Sequence, residues 1–94
     1  MAAYCVGWIR VKDAGAWEQY RGRVGDTIAQ YGGEVMFRGG LQQVFSGAVD
    51  HESVVALRFE SPDAAKRWHD SPEYQALIPV RDRGADVTLT LYQD

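Results

Sequence analysis

Apolar residues crowd the segment from Tyr4 to Val11 on both parities, with Tyr4, Val6 and Trp8 on one and Cys5, Ile9 and Val11 on the other. Such a run predicts a strand covered on both faces. The period then changes. Trp17, Tyr20, Val24, Thr27, Ile28 and Tyr31 recur at three- and four-residue spacing, the stripe of an amphipathic helix that runs from an Asp13 N-cap to about Tyr31. Gly32 and Gly33 stop it, because glycine accepts the left-handed conformation common at helix ends.

A second strand follows from Glu34 to Arg38. Gly39 and Gly40 predict a bulge or bend, leaving open whether the strand resumes from Leu41 to Phe45. A bulge shifts side-chain parity, so the face that Arg38 occupies stays open as well. Ser46 to Asp50 reads as a connection turning at Gly47. Ser53 to Phe59 is a third strand, again apolar on both parities. Ser61-Pro62-Asp63 and Ser71-Pro72-Glu73 each supply a capping hydroxyl, a proline at the first helical position and a carboxylate near the positive end of the helix dipole. They predict two short helices, one carrying Ala64, Ala65 and Trp68, the other Tyr74, Leu77 and Ile78, with Pro79 bending or ending the second. Ala85 to Tyr92 alternates Val87, Leu89 and Leu91 with Thr88, Thr90 and Tyr92 as a last strand.

The order βαββααβ is that of a ferredoxin-like, split βαβ sandwich of the α+β class, with helices on one face of an antiparallel sheet. The first and third strands are apolar on both faces, and one long helix with two short ones covers only one. A second subunit packed sheet to sheet is the simplest cover for the other, so the pattern predicts a homodimer.

Length and composition narrow the function classes. Residues 1–94 form one domain, since a chain this short buries a single core. With 46% hydrophobic and 24% charged residues and a net charge of −3, the chain has the composition of a folded protein and lacks the basic footprint of a nucleic-acid binder. One cysteine, Cys5, excludes an internal disulfide and fits a reducing cytoplasm. No apolar run reaches the roughly 20 residues that span a bilayer, and the N-terminus lacks a basic region ahead of an apolar core. A soluble, unprocessed protein without nucleic-acid or membrane partners is expected.

Arg38, held between two glycine pairs, is the first candidate for chemistry. A guanidinium there could clamp a carboxylate or enolate oxygen bidentately. The competing role is an ion pair with Glu34 or with a carboxylate across the dimer. His69, beside Asp70, is the natural acid or base near neutral pH; it could equally point into solvent after a helix end. Trp8, Tyr20, Tyr31, Trp68 and Tyr74 could line an apolar pocket, although aromatic residues at helical spacing also build cores. His51 reads as surface, Cys5 as inert and buried, and Asp26, Asp82 and Asp86 as solvated. No metal motif or glycine-rich phosphate loop is present, so no cofactor is expected.

Tyr31-Gly32-Gly33, Arg38-Gly39-Gly40, Phe59 ahead of a capped helix, Trp68 and Ser71-Pro72-Glu73-Tyr74-Gln75 together resemble the bacterial domain-of-unknown-function family numbered thirteen-thirty. The resemblance spans nearly the whole chain. It implies the dimeric α+β barrel superfamily, with a pocket in each subunit between sheet and helices, and it singles out Tyr31 and Tyr74. Related families include cofactor-free monooxygenases, muconolactone-type isomerases, polyketide cyclases and haem-handling enzymes. Two departures stand out: Ser46-Gly47 replaces a frequent Glu-Gly, and His69 occupies a position that is often aromatic. The combined expectation is a cofactor-independent enzyme of isomerase, cyclase or monooxygenase type acting on an anionic or aromatic metabolite. In it Arg38 holds an anionic oxygen, and His69 or a tyrosine moves a proton. The alternative is a non-catalytic dimeric binding or stress-related protein, and a third reading makes every one of these residues structural.

Overall fold

A computed structural model describes all residues, 1–94. Four strands and four helices follow one another as β1 (Ala3–Val11), α1 (Ala14–Gln30), β2 (Glu34–Gly40), β3 (Ser53–Phe59), α2 (Pro62–Asp70), α3 (Pro72–Gln75), α4 (Ile78–Gly84) and β4 (Ala85–Gln93). The sheet order is β2-β3-β1-β4 with every neighbouring pair antiparallel. This is the ferredoxin-like α+β sandwich.

Parity along β1 divides the sheet. Cys5 and Ile9 pair with Leu57 and Ser53 on one side and with Leu91 and Val87 on the other, facing the helices. The core beneath joins Cys5, Ile9 and Leu57 to Trp17, Tyr20, Val24 and Ile28 of α1 and to Trp68 and Tyr74. The opposite parity, Tyr4, Val6 and Trp8, is only half-buried. It lies beside Phe37, 54% exposed, and Tyr92, 50% exposed. One chain therefore covers a single face of its sheet.

The three cap assignments hold. Asp13 Oδ1 accepts from Ala16 N at 3.1 Å, Ser61 Oγ from Ala64 N at 3.1 Å and Ser71 Oγ from Tyr74 N at 3.1 Å. Gly32 ends α1 with φ of 77°, the left-handed conformation that glycine favours.

Two local expectations are corrected. The strand β2 runs on through Gly40 and does not resume from Leu41 to Phe45, and its bulge lies at Met36, where the register with β3 slips between Val35 and Phe37. The second short helix stops at Gln75, so Leu77 and Ile78 do not share it with Tyr74, and Pro79 opens a third short helix, α4, in the first turn where its missing N–H is harmless. That helix closes against the start of α1, where Gly84 O accepts from Lys12 N at 2.7 Å and Asp13 N at 3.0 Å.

Candidate functional site

The bulge at Met36 decides the site. Glu34 pairs with Arg58 on the open face, whereas Arg38 pairs with Val55 on the helix face; one additional residue has inverted the parity between them. An ion pair between Glu34 and Arg38 is thereby ruled out. Arg38 makes no ion pair with any carboxylate of the chain.

Arg38 stands instead at the mouth of a cleft of about 240 Å³ bounded by Ile9, Trp17, Arg21, Ser53 and Val55. Arg21, one turn after Trp17 on α1, contributes a second guanidinium, held to Glu18 at 3.3 Å. Beyond the mouth a narrow void of about 30 Å³ continues between sheet and helices, walled by Tyr20, Val24, Leu57, Trp68 and Leu89. Ile9, Trp17, Arg38 and Val55 border both spaces. No carboxylate or imidazole lines either one. Partial burial lowers the Arg38 pKa, the neighbouring Arg21 charge lowers it further, and Tyr20 opposes them. The guanidinium thus meets a cation and a phenol but no anion.

Behind the void lies a hydrogen-bonded chain. Tyr20 and Tyr74 hydroxyls meet at 2.9 Å, and Arg81 Nη1 donates to the Tyr74 oxygen at 3.0 Å while its Nε donates to Asp82 Oδ1 at 3.0 Å. Burial is the main cause that pushes the Tyr20 pKa up, with the Tyr74 contact adding to it. Trp68 Nε1 donates to Thr27 Oγ1 at 3.0 Å, and Thr27 in turn donates to Val24 O at 2.7 Å. These bonds fix the aromatic wall.

Of the residues proposed from sequence, Arg38, Tyr20 and Trp68 come together at this cleft, and Tyr74 sits directly behind Tyr20. His69 does not join them. It borders another cavity of about 230 Å³ with Cys5, Ala65 and Lys66, on the far side of Trp68 and Leu89, which line both spaces. Its ring lies 5.6 Å from that of Tyr74, its Nδ1 3.2 Å from Asp70 Oδ1, and its side chain is half-exposed. Tyr31 lies in a shallow surface groove, donating to Glu73 Oε2 at 3.0 Å; that bond is the first cause raising its pKa. Trp8 occupies the opposite, open face of the sheet, edge-on to His51 at 5.0 Å with Nε1 donating to Thr90 Oγ1 at 3.1 Å.

Arg21 and Arg81 were not among the sequence candidates. Arg21 could have been read from its place four residues after Trp17 on the apolar stripe. Arg81 was hidden with α4, although Pro79, two arginines in the last turn and a terminal Gly84 are the marks of a helix. No group of three or more His, Cys, Asp and Glu side chains gathers where a metal could be held.

Fold and cleft together define a ferredoxin-like protein with a cationic mouth over an aromatic interior. The chain belongs to the domain-of-unknown-function family DUF1330, whose model matches residues 2–94. Among solved structures it resembles RPA0582, a protein of unknown function from Rhodopseudomonas palustris, with a TM-score of 0.84 at 17% identity over 99% of this chain and 82% of that one. SnoaB, a cofactor-independent oxygenase from Streptomyces nogalater, gives 0.70 at 16% identity over 99% and 92%. A dimeric protein of unknown function with a ferredoxin-like fold from Bacteroides fragilis gives 0.58 at 10% over 99% and 96%. No curated protein matches the chain.

Proposed function

We propose that this protein is a cofactor-independent enzyme of isomerase, cyclase or monooxygenase type, acting on a small aromatic or apolar molecule that carries one acidic oxygen. The observation that carries this reading is the unpaired guanidinium of Arg38 at the mouth of an apolar, aromatic cleft. A guanidinium without a carboxylate, partly desolvated and beside a second cation, gains most from an anionic oxygen. The space is small against the roughly 300–1,000 Å³ of typical ligand cavities, so a compact ring compound suits it best.

Since no carboxylate or imidazole lines the cleft, the residues offer electrophilic help rather than a base. Arg38 and Arg21 stabilise the conjugate base of the ligand's own enol or phenol, lowering its pKa so that the proton passes to bulk water as the molecule enters through the open mouth. The ionised molecule, shielded from water by Trp17 and the aliphatic wall, is then primed to shift a double bond, close a ring or react with an electrophile. The general description of SnoaB agrees in kind. The missing base equally favours a second reading, a dimeric binding or stress-related protein in which Arg38 supplies affinity alone.

A homodimer through the open sheet face completes the proposal. Tyr4, Val6, Trp8 and Phe37 give that face an apolar centre, and the similar Bacteroides fragilis protein is described as dimeric. No helix is long and apolar enough to cross a membrane, and the single buried thiol is compatible with a cytoplasmic setting.

Thermal-shift and turnover screening against aromatic enols, phenols and short carboxylic acids tests the reading. Arg38→Met should weaken binding of the anionic hits by about 10–100-fold, the scale of hydrogen bonds to a charged group. Neutral isosteres should be unaffected. Unchanged anion binding in that variant would remove Arg38 from the site, and stabilisation without turnover would select the binding protein.

A further inference from the structure

The chain of Arg81, Tyr74 and Tyr20 carries one more proton than it can use. Two phenols own two protons, and the 2.9 Å contact between them consumes one. If Tyr20 were the donor, the Tyr74 oxygen would accept from both Tyr20 and Arg81. The Tyr74 proton would then have no acceptor around a residue that is 0% exposed, and folded proteins avoid leaving buried donors orphaned. If Tyr74 is the donor, the spare proton belongs to Tyr20. Tyr20 is also buried, at 8% exposed, and in the free protein its spare proton has no protein acceptor, but its side chain walls the void that Arg38 also borders, where a ligand oxygen can accept it; no such space adjoins Tyr74.

Arg81 pushes in the same direction. Its side chain is only 14% exposed, and Nη1 lies 3.0 Å from the Tyr74 oxygen. A cation donating to that oxygen polarises the Tyr74 O–H and strengthens it as a donor. The two hydrogen bonds it makes, to Tyr74 and Asp82, outweigh the burial that works against its charge, so the cation is secure. Tyr20, its pKa pushed up by burial, remains a neutral O–H.

We infer that Arg81 is a positioning residue which, acting through Tyr74, presents the Tyr20 hydroxyl as a hydrogen-bond donor to the oxyanion of a small acidic ligand in the void beside Arg38. The inference rests on the reading of this cleft as an acidic-ligand site. It gives the ligand oxygen two donors from opposite sides, a guanidinium from the sheet and a phenol from α1. It also makes α4, which lines neither the cleft nor the void, part of the site's chemistry.

Two measurements test it. In the free protein carrying tyrosine labelled at ring Cζ, Arg81→Met should move the Tyr20 resonance. In a Tyr74→Phe background the same change should leave Tyr20 where Tyr74→Phe put it, and Arg81→Lys should restore part of the wild-type position. With 4-nitrophenolate as probe, Tyr20→Phe and Arg81→Met should each weaken binding about tenfold, one hydrogen bond to a charge. The double variant should be no weaker than Tyr20→Phe alone, and binding of neutral nitrobenzene should be the same in all of them. A Tyr20 resonance indifferent to Arg81, or additive losses in the double variant, would overturn the relay. Wild-type protein that ignores 4-nitrophenolate, or binds it equally with Arg38→Met, would overturn the cleft reading and the ligand half of this inference, while the tyrosine resonances judge the Arg81 half independently.

Discussion

Gly84 and Gly22 should answer the same substitution with opposite signs. A Cβ built on Gly84 would lie 2.5 Å from Trp17 N, 2.8 Å from Trp17 Cα and 3.0 Å from Ala16 C. All three are backbone atoms of the first turn of α1, so no side-chain rotation relieves the overlap. The start of α1 must back away, straining the bonds from Lys12 N and Asp13 N to Gly84 O. Overpacking of this kind costs about 1–3 kcal/mol and weakening one such hydrogen bond about 1 more, against a helix-propensity gain of at most about 1. The expected net loss for Gly84→Ala is about 1–3 kcal/mol, or roughly 5–20 °C in Tm for a domain of this size. Gly22, in the exposed middle of α1, has nothing within 4 Å of the place a Cβ would take. There alanine should stabilise by about 0.5–1 kcal/mol through backbone entropy. Urea unfolding followed by tryptophan fluorescence, with unchanged m-values, would read both. Because Trp17 borders the cleft, Gly84→Ala should also weaken ligand binding. A Gly84→Ala protein within about 0.5 kcal/mol of wild type, the scatter of neutral surface changes, would refute the close packing of α4 on α1.

The open face and the sheet edge supply two further tests. Val6→Asp, at the centre of the half-buried outer face between Ala56 and Thr90, should sediment as a folded monomer where the wild type sediments as the proposed dimer; a monomeric wild type, or a dimer that survives the substitution, would refute an interface on this face. Asp86 accepts from Arg10 at 3.0 Å and sits 3.3 Å from Lys12 Nζ, and the bond to Arg10 leads the causes holding its pKa below the usual 3.8. A depressed carboxylate stabilises the fold above its unfolded pKa and loses that contribution as pH falls through the folded value. Acid titration should therefore show the wild type losing stability below about pH 4 in a component that Asp86→Asn lacks and that added salt shrinks.

Much of the fold was legible because local chemistry repeats its global role. Asp13, Ser61 and Ser71 mark helix starts by hydroxyl or carboxylate chemistry that needs only neighbouring residues, and the stripe from Trp17 to Ile28 is buried as its spacing requires. Pro79 misled because the same residue that breaks a helix interior opens a helix start, and Leu77 gives no side-chain cap to choose between them. The site was less legible. The bulge falls on Met36, which carries no glycine or proline to announce it, so the face of Arg38 depended on pairing with β3, beyond the long connection that follows Gly40. His69 was drawn to the site by its chemistry alone, yet α2 presents it to a different cavity from the one α1 and β2 enclose. Trp8 illustrates the sheet's ambiguity: in a strand apolar on both parities, pattern predicts cover for both faces but not which side carries the cleft.

The insertion at Met36 also bears on how the family's sequences should be compared. A single methionine sets whether the arginine two positions later faces the helices and their cleft or the open side of the sheet. Two chains that share an arginine in the same alignment column but differ by one residue upstream would put identical chemistry on opposite sides of the sheet. Equivalence in this family is therefore a matter of strand phase as much as residue identity.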